Sequence, residues 1–155
     1  MPPSRILAEY PERLGLRVTM VQIAIYADLS PRLSELGLTS PNRMTALLHV
    51  QANPGCSQSE LAEFTGLSRA SAMTMVDQLE KAGLVDRRPG PDARTNALYL
   101  TDAGRLAAQR AVEQTSINED LVFAALSNDE HAQLGQLLEK VIAHLDTKRG
   151  RSTSQ

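Results

Sequence analysis

Only one of the 155 residues is cysteine, no apolar run is long enough to cross a membrane, and neither sign of charge is in large excess. Each shortage removes a class of protein. A single thiol, Cys56, leaves no intrachain disulfide framework and no zinc site built on four cysteines or on paired cysteines and histidines, and it suits a reducing compartment. No apolar run approaches the ~18 residues of a membrane span, and the opening MPPSRILAEYPER carries no signal-peptide apolar region. The expected location is therefore the cytoplasm, with no membrane partner. Sixteen Lys and Arg against 18 Asp and Glu exclude a polycation that coats nucleic acid, so any nucleic-acid site has to be a local patch. Phosphate-loop, G-x-S-x-G and H-E-x-x-H motifs are absent, as are carboxylates at acid–base spacing, and we expect no enzyme. His131 and His144 lie ~220° apart on a helical wheel, too far round to grip one ion, and no metal or cofactor is expected.

What the chain does hold is helix-forming: 22 Leu and 19 Ala against 13 Val and Ile together. Its length suits one domain with appendages. Apolar residues at spacings of three and four mark a helix from Glu12 to Gly37, with a kink or break expected near Ser30, where Ser30-Pro31 reads as a cap followed by proline. Thr39-Ser40-Pro41 opens a second helix that stops at Asn53-Pro54-Gly55. Ser57-Gln58-Ser59-Glu60 is a capping box before a short helix, Glu60 to Thr65, closed by Gly66. Ser68 caps a further helix, Arg69 to Ala82, with Ala72, Met75, Val76 and Leu79 on its core face and Gly83 at its end. The period then changes. Residues 84–88 and 95–100 are strand candidates joined by Pro89-Gly90-Pro91-Asp92-Ala93, which makes a hairpin. Thr101-Asp102 caps a long helical stretch, and Ser127-Asn128-Asp129-Glu130 is a second capping box before Leu134, Leu137, Leu138, Val141, Ile142 and Leu145.

Two short helices, a tight Gly66-Leu67-Ser68 turn and a hairpin make a winged helix-turn-helix, whose second helix fits a DNA major groove while the hairpin reaches the neighbouring backbone or minor groove. The outer side of that helix shows small and polar residues, Ser68, Arg69, Ala70, Ser71, Thr74 and Gln78, which permit close approach to base edges. Arg87, Arg88 and Arg94 set three cations against Asp92 within eight residues, with Thr95 beside them. Asp92 is expected to orient an arginine.

The strings Leu61-Ala62-Glu63-Phe64-Thr65-Gly66-Leu67-Ser68-Arg69, Val76 to Val85, Arg87-Arg88-Pro89, Asp92-Ala93-Arg94 and Leu100-Thr101-Asp102-Ala103-Gly104 resemble the MarR family of bacterial transcription regulators. The resemblance covers about Leu14 to Leu145. It departs at Thr74, where many members carry a basic residue, and at Ala93, often arginine. It implies a mainly α fold with a small β-hairpin wing: 1–38 as N-terminal arm and dimerisation helix, 39–101 as the winged helix-turn-helix and 102–148 as C-terminal dimerisation helices; the small, polar and basic stretch 149–155 reads from its composition as a disordered tail. It further implies a homodimeric repressor on a pseudo-palindromic operator in double-stranded DNA. A small aromatic or anionic effector would bind between the dimerisation helices and the DNA-binding lobe, with Arg17, Met20, Ile23 and Tyr26 on the first helix and Met44, Leu47 and His49 on the second as candidates by position. Two alternatives stay open: an effector-independent DNA-architectural or protein-interaction module, and a regulator that senses oxidants through Cys56.

Overall fold

The computed structural model describes residues 8–10, 12–90 and 96–152. Six helices and one hairpin follow in the order α1 (Leu14–Glu35), α2 (Pro41–Ala52), α3 (Gln58–Thr65), α4 (Arg69–Lys81), β1 (Val85–Pro89), β2 (Asn96–Leu100), α5 (Asp102–Val122) and α6 (Asn128–Ser152). The chain divides into two units, 1–118 and 119–155.

In the first unit one core collects Leu29, Leu33 and Leu38 with Leu47, Val50, Leu61, Val76, Leu79 and Leu98, and with Ala107, Ala108 and Ala111 of α5. That core decides the fate of Pro31. The break expected there does not occur, because α1 runs unbroken through it. A proline inside a helix costs ~3 kcal/mol, whereas burying Leu29 and Leu33 on either side of it returns ~1.5–3 kcal/mol each. Ser30 starts no new helix; its hydroxyl donates to the Tyr26 carbonyl at 2.6 Å.

Local signals set the other ends. Ser40 Oγ accepts from the Arg43 amide, and Ser57 and Glu60 form the full reciprocal box. Since Ser57 is the cap, α3 begins at Gln58, two residues before the start read from the sequence. The box holds the Glu60 carboxyl below the usual range, through the hydrogen bonds from the Ser57 amide and hydroxyl. Gly66 closes α3 in the left-handed conformation.

β1 and β2 pair antiparallel from Val85↔Leu100 to Pro89↔Asn96. A third strand-like segment joins them: Gly55 N–H donates to the Leu98 carbonyl and Leu98 N–H to the Cys56 carbonyl, with an isolated bridge Ser57↔Ala97. The α2–α3 loop is thereby fixed to the hairpin base. At the other end of β2, Thr101 Oγ1 donates to the Gly83 carbonyl at 2.6 Å and accepts from the Gly104 amide at 2.9 Å. Thr101 N–H meets the Leu84 carbonyl. Gly104 packs so closely here that a Cβ would sit 2.0 Å from the Leu84 oxygen. α5 is tied to α1 by one polar contact, Asn118 Nδ2 to Asp28 Oδ2 at 2.8 Å, and Asp28 also pairs with Arg32 at 3.1 Å.

The second unit is the end of α5, a turn and α6. The Ser127–Glu130 box forms as the spacing requires. His131 Nε2 lies 3.2 Å from Glu119 and its ring meets Phe123 edge-on. α6 continues to Ser152, into the stretch where the sequence suggested irregular chain from Arg149; extending a capped helix costs little per residue.

Candidate nucleic-acid interface

The face of α4 is settled by what lies beneath it. Ala72, Met75, Val76 and Leu79 are buried, which leaves Arg69, Ala70, Ser71, Thr74, Asp77 and Gln78 exposed. Ser68 caps the helix, its Oγ accepting from the Ser71 amide at 3.1 Å and lying 2.8 Å from Ser71 Oγ. Thr74 Oγ1 donates to the Ala70 carbonyl at 3.0 Å. Its hydroxyl hydrogen is thus committed to the backbone, and what it offers outward is an oxygen lone pair and a methyl group. Those suit an exocyclic amine of adenine or cytosine, or the thymine methyl.

The cluster of wing arginines does not survive as a single patch. Successive strand residues point to opposite faces, so Arg87 and Arg88 part company. Arg87, half-buried, turns onto α4 and pairs with Asp77 and with Glu80 at 2.9 Å. The Gln58 amide lies 3.0 Å from the same guanidinium, which only donates, so the amide oxygen is the end suited to it. Arg87, a residue the sequence suggested for the DNA, staples β1 to α3 and α4, its one charge set against two acids of α4. Arg88 goes the other way: its guanidinium stacks 4.5 Å above the Tyr99 ring, 3.8 Å from Asp86. These two residues, with Arg105, Val50, Pro54 and Leu100, border a cavity of about 190 Å³ at the hairpin base. Asp92, Arg94 and Thr95 lie outside the described residues.

A cation that sequence reasoning missed stands beside the exposed face of α4. Arg43, in the first turn of α2, donates to Gln78 Oε1 of α4. The two flank a groove of about 440 Å³ that also takes in Ser40, Asn42, Ser71 and Thr74. No local pattern announces this contact, which joins residues 35 apart in the chain.

The seven effector candidates divide between the core and the surface. Met44 and Leu47 are core residues, because the stripe at which they recur is the buried face of α2. Arg17, Met20 and Tyr26 are half-buried and Ile23 exposed on α1. His49 stacks on Phe64 at 4.2 Å, and burial lowers its pKa although Glu60 opposes that. Cys56 is buried, and burial, then the Glu60 carboxylate, push its thiol up, away from the reactive thiolate an oxidant sensor needs.

Comparison with known proteins agrees with this geometry. Residues 36–94 match the model of the MarR family. The HTH-type transcriptional repressor Mb2911 of Mycobacterium bovis is 30% identical over 129 residues, 83% of this chain and 92% of its own. Among solved structures, the transcriptional repressor CouR bound to a 23-mer DNA duplex superimposes with a TM-score of 0.77 at 32% identity, covering 88% of this chain and 96% of that one. The MarR family protein Rv2887 of Mycobacterium tuberculosis, in complex with p-aminosalicylic acid, gives 0.70 at 29% identity, covering 83% and 98%.

Proposed function

Since the chain belongs to the MarR family, we propose that it is a homodimeric transcriptional repressor that binds a pseudo-palindromic operator and releases it when a small aromatic or anionic effector binds. The observation that carries this reading is α4: one face is locked into the core, and the other leaves Ser71 and Thr74 exposed on a helix of major-groove width. In this reading 39–101 contacts DNA, while 1–38 and 102–148 associate with a second copy. Exposed apolar side chains on both sets of helices support the association, among them Leu14, Val18 and Val21 on α1 and Leu138, Val141 and Ile142 on α6. The effector half rests on the p-aminosalicylic acid bound by a relative, and on Arg17, Met20, Ile23 and Tyr26 as accessible α1 residues. The redox alternative is disfavoured by the buried Cys56 thiol. Sequencing the genomic fragments that the purified protein retains tests the reading; retention without sequence preference favours the architectural alternative.

Four substitutions follow from it. Ser71→Ala and Thr74→Ala should each lower the ratio of operator to random-duplex affinity by ~1 kcal/mol or more, as loss of a base contact does. An unchanged ratio for both would remove α4 from direct readout. Arg94→Ala should cost ~1–3 kcal/mol and reduce the salt dependence by about one phosphate. Arg87→Ala should instead lower the melting temperature, because it removes the staple and strands Asp77 and Glu80. If Arg87→Ala alters the salt slope while Arg94→Ala does not, the assignment of the two arginines is reversed.

A further inference from the structure

We infer that Arg43, at the start of α2, is a backbone-phosphate contact that extends the DNA interface beyond helix-turn-helix and wing, and that it also sets the orientation of the Gln78 amide. The inference rests on the DNA reading above and adds a residue to it. Three observations support it. First, Arg43 is on the reading side, sharing a groove with Ser71 and Thr74. Second, among the described residues its guanidinium pairs with no carboxylate, unlike Arg32, Arg87, Arg88 and Arg105, each of which does. Its one side-chain partner is the neutral Gln78, so its charge stays available. Third, a recognition helix ~10–12 Å across fills a major groove ~12 Å wide. A side chain carried by the neighbouring helix therefore cannot reach the floor of that groove and meets its wall, which is the phosphate strand.

The hydrogen bond to Gln78 has a consequence for readout. With Oε1 engaged by Arg43, the Nε2 hydrogens are left for an acceptor, and both side chains approach DNA as donors. Donors suit phosphate oxygens, and a charged donor suits them best.

The test compares wild type with Arg43→Ala, Arg43→Lys, Gln78→Ala and the double variant Arg43→Ala/Gln78→Ala. Each full-length protein is titrated on the fragment recovered from genomic selection and on a random duplex of equal length, from about 50 to 200 mM salt. Arg43→Ala should weaken binding to both duplexes by the same factor and lower the slope of log K against log salt by about 0.9, in the Gln78→Ala background as well. Arg43→Lys should restore the slope. Thermal melting confirms that each variant is folded. If the loss disappears in the Gln78→Ala background with the slope unchanged, Arg43 only supports Gln78 and the inference fails; unchanged binding overturns it as well. A wild type that binds random duplex but selects no fragment refutes the operator reading, and the slope on random duplex still decides Arg43. A wild type that binds no duplex overturns both.

Discussion

Gly104→Ala should strongly destabilise the winged unit. The added methyl would stand 2.0 Å from the Leu84 carbonyl oxygen and 2.9 Å from its carbon, so the obstacle is backbone and no side chain can rotate away. That carbonyl is held in place by the Thr101 amide, and Thr101 is held by Gly83 and Gly104. Overpacking against a yielding side chain costs ~1–3 kcal/mol. Here relief requires α5 and its cap to move off the end of α4 and open the two hydrogen bonds that tie Thr101 to Gly83 and Leu84, so we expect about 4 kcal/mol, a large share of the roughly 5–15 kcal/mol that stabilises a domain. Gly135→Ala is the matched control. It lies in α6 with nothing within 4 Å of where the new methyl would stand, and it should be neutral or stabilising by up to ~1 kcal/mol through helix propensity. Urea unfolding of the two variants checks both, and equal midpoints would refute the close-approach argument.

Ile142→Glu should abolish specific DNA binding without touching the exposed face of α4. The side chain is 56% exposed in the single chain, and none of the described residues from 119 to 145 is buried, although Leu137, Leu138, Val141, Ile142 and Leu145 repeat there at helical spacing. Such a stripe is stable in water only when covered, and in a two-fold dimer each substitution is present twice. Burying two uncompensated carboxylates costs several kcal/mol, enough to move a micromolar or tighter dimer to monomer. A monomer grips one half-site only, and losing the tethered second half-site removes a factor of ~10²–10⁴ in affinity. Sedimentation and operator binding read the two losses. A variant that remains dimeric places the interface elsewhere.

How far the sequence reaches is clear from individual residues. The caps at Ser40, Ser57, Ser68, Thr101 and Ser127, and the core face Ala72, Met75, Val76 and Leu79, are legible because each depends on neighbours within four positions. Pro31 misleads for the opposite reason: its local penalty is real, but distant partners of Leu29 and Leu33 outweigh it. The charge cluster misleads likewise. Counting Arg87 and Arg88 together ignores strand alternation, and the carboxylates that claim Arg87 lie seven and ten residues away on another element. Arg43 and the Gly55–Ser57 segment are invisible beforehand, since both are defined by partners more than 30 residues off.

The Asn118–Asp28 bond has a meaning beyond its own strength. Asn118 is the one polar side chain among the buried residues described, and it is set where α1 and α5 otherwise offer the core leucines and alanines. Aliphatic surfaces tolerate sliding, because a shifted leucine finds another leucine at little loss. An amide that must find one carboxylate tolerates none, and an offset of one helical turn, ~5.4 Å, would bury it unsatisfied at ~1–3 kcal/mol. The pair therefore acts as a vernier for α1 and α5, choosing one alignment from several that greasy contacts alone would leave nearly equal in energy.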